Sequence, residues 1–177
     1  DFSKKTLKGN AAFVGIDNTR RVILSDTLRD KYSYEEIEVI LAHEFAHYQL
    51  RHLAKMVVVN SLVTSLIFYV IFKTSIYALN LFGLSSLADI AGRPVIFIYF
   101  ILFCIIMQPF EAFVSRSCER GADSLALETT GLKDAFISTM NKLSQQNLSD
   151  RSPHPVIKFF FFDHPPIDER IKMAEDY

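Results

Sequence analysis

Little in this chain points to a covalent or charge-driven way of holding a structure together. There are only two cysteines, Cys104 and Cys118, too few for a disulfide framework. Both lie in helix-like surroundings and read as reduced thiols. Six glycines and six prolines in 177 residues exclude collagen-like and linker-dominated chains. Charge of one sign is also scarce. Nineteen Lys and Arg against 20 Asp and Glu leave a net −1, so neither a nucleic-acid footprint nor an acidic tail is present. No nucleic-acid partner is expected. Charged residues still make up 22% and apolar ones 50%, which excludes disorder. What the chain has in excess is apolar and aromatic surface: 16 Phe, and a mean hydropathy of +0.18 that is high for a soluble domain. Its length suits one domain, residues 1–177, with a real core. It starts at Asp1 without Met and reads as a fragment of a longer protein.

The hydrophobicity is concentrated in two places. Met56 to Phe72 and Pro94 to Phe110 are each 17 residues without a charge. Helices of about 17 to 25 apolar residues cross a bilayer core. The bland alternative is a pair of buried core helices, although the first run also holds Asn60, Ser61, Thr64 and Ser65. A domain of this size has few places to hide two helices that are apolar all round, so a transmembrane hairpin over 56–110 is the expectation. Residues 73–93 would connect the two, with Gly83, Gly92 and Pro94 as breakers. Arg51, Lys55, Arg116 and Arg120 flank the outer ends, and Lys73 and Arg93 the connection. That asymmetry puts both termini on the cytoplasmic side.

Elsewhere the pattern alternates short strands and amphipathic helices. Residues 11–16 and 21–25 read as strands joined by a turn at Asp17, Asn18 and Thr19. Ser33 is an N-cap candidate, with Glu35 and Glu36 in the first turn. The helix it starts is expected to run unbroken into the first apolar stretch. A second long helix is expected from Pro94 through Leu127, bent near Pro109 and stopped at Thr130-Gly131. Residues 132–145 read as another helix, 147–166 as loop, and a last helix follows Pro166. Asn147-Leu148-Ser149 is a glycosylation sequon of little weight on a cytoplasmic side.

His43-Glu44-Phe45-Ala46-His47 is an HExxH motif. At i and i+4 two histidines share one helix face, so both imidazoles reach one Zn²⁺, and the Glu beside the first can serve a water as general base. Val39, Ile40, Leu41 and Ala42 precede the motif, so its polar groups are partly buried and need partners. The alternative is an ordinary amphipathic helix with two surface histidines. A third ligand must come from elsewhere, because positions 50 and 53 are leucines. Glu119 in Glu119-Arg120-Gly121-Ala122-Asp123 is the best placed. His47 precedes Met56 by nine residues and Glu119 follows Phe110 by nine. In a helical hairpin both therefore sit roughly 14 Å outside the apolar runs, on the same side. Asp123, one turn on, suits a hydrogen bond to a ligand imidazole. Glu111 lacks that Asp, and Glu128 lies near the helix end. His52, five residues after His47, is expected to point elsewhere, as a polar boundary residue. His154 lies in a proline-rich loop. His164, held before Pro165 and Pro166, is placed to donate to the oxyanion of a tetrahedral intermediate.

In this order, five elements resemble the core of the type I CAAX prenyl proteases, a family of integral-membrane zinc metallopeptidases. They are Asn10 to Phe13, Arg20 to Leu28, His43 to His47, Glu119 to Asp123, and His164-Pro165-Pro166 followed by Glu169-Arg170. The resemblance implies that His43, His47 and Glu119 bind one Zn²⁺, that Glu44 activates water, that Asp123 supports a zinc histidine, and that His164 stabilises the substrate carbonyl. It also implies that Ala11, Ala12, Phe13, Val14 and Gly15 bind an extended peptide or protein C-terminus as an added strand. The fold expected is mostly α (α+β): a membrane-associated, zincin-like metalloprotease core with a transmembrane helical hairpin and a small β-hairpin at the active site. Its partner would be a lipid bilayer, of the bacterial inner membrane or the endoplasmic reticulum, with the zinc on the cytoplasmic side. The HtpX-type membrane quality-control proteases share the metal motifs. The alternative from another class is a zinc-stabilised membrane module without catalysis, against which Glu44 and His164 argue.

Overall fold

A computed structural model describes residues 11–14, 21–84, 86, 90–147 and 150–177. Two strands come first, β1 (Ala11–Val14) and β2 (Arg21–Leu24). They pair antiparallel, with Ala11 opposite Leu24 and Val14 opposite Arg21. Each is shorter than the expected 11–16 and 21–25. Gly15 and the expected turn at 17–19 lie outside the described residues. Helices α1 (Asp26–Lys31) and α2 (Tyr34–Gln49) follow. Ser33 begins α2 as a capping box: its hydroxyl accepts from the Glu36 amide at 3.2 Å, and its own amide donates to the Glu36 carboxylate at 2.7 Å. Glu36 also receives the Ser138 hydroxyl and the Lys142 ammonium, each at 2.6 Å, which fastens α2 to the later helix that begins at Lys133.

The expected continuous helix into the first apolar run is broken. Arg51 is left-handed (φ 54°), the single non-glycine with positive φ among the described residues. Helix α3 (His52–Leu81) then starts in a new direction. It does not stop at Lys73, whose ammonium lies over the Tyr69 and Phe72 rings at 5.8 and 5.9 Å, so the charge rides on the helix surface instead of ending it. The connection is accordingly shorter than 73–93. Gly83 (φ 72°) closes α3 with a Schellman pair, its amide to Asn80 O and the Leu84 amide to Leu79 O. Helix α4 (Gly92–Thr130) runs back along α3 and stays one helix across Pro109. Gly92 packs on Leu79 so closely that a Cβ there would lie 3.0 Å from it. Gly131, left-handed, ends α4 as expected.

Helices α5 (Lys133–Asn147), α6 (Pro155–Phe161) and α7 (Ile167–Glu175) complete the chain. Helix α6 corrects the expected 147–166 loop. Pro155 occupies its first turn, where a missing amide costs nothing, and the His154 side chain accepts from the Val156 amide at 3.3 Å.

Two apolar clusters divide the molecule. Val39, Leu127, Phe136, Met140 and Ala174 join α2, α4, α5 and α7 at one end. Val63, Ile67 and Ile71 of α3 meet Tyr99, Phe103 and Met107 of α4 along the hairpin seam. There the Tyr99 and Thr74 hydroxyls satisfy one another at 2.6 Å. Both α3 and α4 contain a stretch long and apolar enough to cross a membrane, of which only 17% and 11% is buried. The two runs are therefore not buried as core helices among the described residues. The two cysteines are free.

Candidate metal centre

The site forms where the second half of α4 packs on α2. His43 and His47, one turn apart, turn their Nε2 atoms toward each other at 3.1 Å. Glu119 closes the triangle: its Oε1 lies 3.3 Å from His47 Nε2 and its Oε2 3.5 Å from His43 Nε2. Among the described residues these three side chains form a cluster whose donor atoms all fall within 4.8 Å of one another, close enough to hold one metal ion. Glu119 is 8% exposed, so a carboxylate is held here out of water. Burial would raise its pKa, but contacts with His43, His164 and His47 hold it below the ordinary carboxylate range.

The supporting groups set which nitrogens face inward. His43 Nδ1 lies 2.9 Å from Asp123 Oδ1, so a proton belongs on Nδ1 and Nε2 is the ring atom that faces Glu119 and His47. Burial disfavours a charge on His43, yet Asp123 and Glu119 outweigh it and push the imidazole up to about 9. Burial and the neighbouring His43 charge push His47 down to about 4, leaving it neutral with a free lone pair at pH 7. Asp123 is wholly buried and bidentate with Arg170, whose Nε donates to Oδ2 at 2.7 Å and Nη2 to Oδ1 at 2.5 Å. Burial would raise the Asp123 carboxyl, but His43 and Arg170 hold it below its usual value.

Glu44 and His164 line the same cavity of about 370 Å³ as the three donors. Burial, and then the Glu119 charge, raise the Glu44 carboxyl above its ordinary value, against the pull of His43 and His164. A base poised nearer neutrality suits proton shuttling. His164 sits at the cavity mouth, with Nε2 3.7 Å from Glu119 Oε1 and Nδ1 2.8 Å from Asp163. The buried Pro165 and Pro166 follow it. Leu28, Ile40, Phe136 and Met140 make the other wall apolar.

All six expected residues from His43 to His164 thus converge, and β1 packs beside α2. Three further groups escaped the sequence reading. His52 does not point elsewhere: the Arg51 turn swings it back, buried, with Nδ1 3.0 Å from His47 Nδ1. Arg170 carried no assigned role, although a buried Asp demands a cation. Arg116, counted as a flanking charge, is buried and donates from Nη1 to the Lys158 and Phe162 carbonyls at 3.1 and 2.6 Å. It thereby fixes the segment that leads into His164.

An HExxH helix packed on a Glu-bearing helix, beside a long apolar hairpin, defines the class of membrane metallopeptidases. The chain belongs to peptidase family M48, which matches residues 2–177. A metallopeptidase of this family uses a metal cofactor. Among similar proteins is the uncharacterized metalloprotease YhfN of Bacillus subtilis (strain 168), 34% identical over 99% of this chain and 42% of that protein. CAAX prenyl protease 1 of Saccharomyces cerevisiae is 34% identical over 100% of this chain and 43% of its own length. The crystal structure of S. mikatae Ste24p superposes with a TM-score of 0.77 at 27% identity, covering 97% of this chain and 43% of that one. The chain therefore spans about two fifths of the length of these relatives.

Proposed function

We propose that this chain is the catalytic core of an integral-membrane zinc endopeptidase acting on extended peptides, its hairpin 56–110 inserted into one metallopeptidase domain. The observation that carries the reading is the donor set: the His43 and His47 Nε2 atoms stand 3.1 Å apart, with the Glu119 carboxylate reaching His47 Nε2 through Oε1 at 3.3 Å and His43 Nε2 through Oε2 at 3.5 Å. Ligand atoms about 2.0–2.1 Å from a tetrahedral zinc stand roughly 3.3–3.4 Å apart. His43, His47 and Glu119 would hold the ion, which when bound supplies Lewis acidity toward the peptide carbonyl and the attacking water. Glu44 takes the proton of that water and passes it to the leaving amine. His164 donates to the carbonyl oxygen as its negative charge grows. Asp123, itself clamped by Arg170, holds the His43 ring with its Nδ1 proton turned away from the site.

The strand β1, with Gly15 beyond it, has one edge on β2 and no strand on the other among the described residues. A peptide added there would gain main-chain hydrogen bonds and run into the cleft. Similarity to CAAX prenyl protease 1 supports a prenylated protein C-terminus as substrate. The excess of Arg and Lys at the hairpin's outer ends supports a cytoplasmic site, at the endoplasmic reticulum or a bacterial inner membrane. The test is cleavage of a prenylated C-terminal peptide and its unprenylated twin by the full chain in bilayers. Cleavage of the prenylated peptide alone is expected. Equal cleavage of both would replace this substrate with general membrane-protein turnover, and cleavage of neither, nor of any unfolded protein, would contradict the endopeptidase reading.

A further inference from the structure

Four of the 16 phenylalanines stand in one row, 159 to 162, and the cleft uses none of them. Helix α6 turns most of this row outward. Val156, Ile157, Phe159 and Phe161 are 58%, 49%, 52% and 68% exposed. A solvated surface helix of this length would hide such a face or carry charge on it. The charge of α6 is a single lysine, Lys158, and it is paired with Glu169. Its ends are closed by side chains as well: His154 receives the first amide, and the Arg116 guanidinium caps the Lys158 and Phe162 carbonyls. A helix whose one charge is paired and whose ends are partly capped by side chains carries less unpaired polarity into an apolar surrounding.

Its position says which medium. Phe159 and Phe160 share an apolar groove with Ile105, Ile106, Phe110 and Phe113 of α4. Ile105 and Ile106 belong to the apolar run that ends at Phe110, and Phe113 lies one turn past it. The apolar surface of the hairpin therefore continues without a polar seam onto α6, about 8 Å above to 5 Å below the end of the run.

We propose that α6 is an interfacial membrane anchor whose exposed Phe159 and Phe161 insert into the lipid headgroup and acyl boundary. Its partner is the lipid surface itself, entered to the depth such helices reach, roughly 5–10 Å. His164 follows the end of α6 by three residues, so the bilayer surface and the mouth of the cleft are held at a fixed separation. The inference rests on the hairpin crossing the membrane, and the experiment separates the two.

The chain contains no tryptophan, so each Trp substitution is a sole reporter. The full chain is placed in phosphatidylcholine–phosphatidylglycerol vesicles as Phe161→Trp, as Phe97→Trp on the exposed hairpin face, and as Tyr177→Trp at the exposed terminus. Phe159→Trp repeats the measurement on the same face of α6. Emission at Phe161→Trp is expected to be blue-shifted from Tyr177→Trp. It should be quenched by lipids brominated high on the acyl chains and shielded from aqueous iodide. Iodide quenching equal to that at Tyr177→Trp would overturn the proposal. So would a blue-shifted Trp that neither quencher reaches, which would mean that another polypeptide segment covers α6. Bromolipid silence at Phe97→Trp as well would overturn the hairpin reading and this one with it.

Discussion

The two halves of α4 invert the usual rule of burial, and they do so within one uninterrupted helix. From Gly92 to Phe110 the side chains are almost all apolar, yet only Gly92 and Pro109 are buried. From Glu111 to Thr130 the buried set is Ala112, Arg116, Glu119, Ala122, Asp123, Ala126 and Leu127, three of them charged. The first half leaves its apolar groups unburied, as the proposed bilayer span requires. The second half hides charge because each charge has a specific partner: backbone carbonyls for Arg116, two imidazoles for Glu119, and Arg170 and His43 for Asp123. In the proposed reading one helix serves both as a lipid-facing span and as the spine of a metal site. The crossover falls within a turn of Phe110, where α6 docks.

The largest effect expected is on turnover, at the buried-polar end. Glu44→Gln should lower peptide cleavage by about 10²- to 10⁴-fold, measured by initial rates, while leaving metal content intact. Next is stability at the same end. Asp123→Ala strands Arg170 without a partner in the core and should cost about 3–5 kcal/mol, read from denaturant unfolding in micelles.

Acid sharpens the same point. Asp123 is held below its unfolded pKa of about 3.9, so its stabilisation is complete above that pH and fades as pH falls through the lower folded value. The stability gap between the native chain and Asp123→Asn should therefore shrink as pH falls through the folded Asp123 value. A gap that widened in acid would show that the Arg170 pair is not what holds this carboxyl down.

At the lipid-facing end the sign of a charge substitution reverses. Ile106, 66% exposed, should not tolerate Lys: Ile106→Lys should cost about 2–3 kcal/mol of membrane insertion, scored by glycosylation mapping of hairpin topology. Arg120→Ala, equally on the surface but in the second half, should stay within about 0.5 kcal/mol. Smallest is Arg51→Gly, which relieves a left-handed non-glycine and should raise stability by no more than about 1 kcal/mol.

Much of this was legible in the sequence because it is local. The i,i+4 spacing places His43 and His47 on one face, Ser33 announces its cap, and Gly131 ends α4. Equal distances of His47 and Glu119 from the apolar runs carry real information, since helices have a fixed rise. Other features were illegible for physical reasons. Arg51 in a left-handed conformation has no residue signature, and without that turn His52 projects away from His47. The Arg170–Asp123 pair spans 47 residues, so no spacing rule reaches it. Helix α6 hides among prolines because its caps are a histidine before it and an arginine from another helix. Lys73 looked like a boundary, yet a long stem over two aromatic rings lets a lysine ride within an apolar helix.

The central claim is that three side chains, His43, His47 and Glu119, hold one zinc ion. The most direct test is zinc per chain by mass spectrometry on purified native protein, Glu44→Gln and Glu119→Ala, with folding checked by circular dichroism. One zinc per chain in the first two, and none in a folded Glu119→Ala, is the result predicted. Full zinc in Glu119→Ala, or none in the native protein after equilibration with the metal, would contradict it.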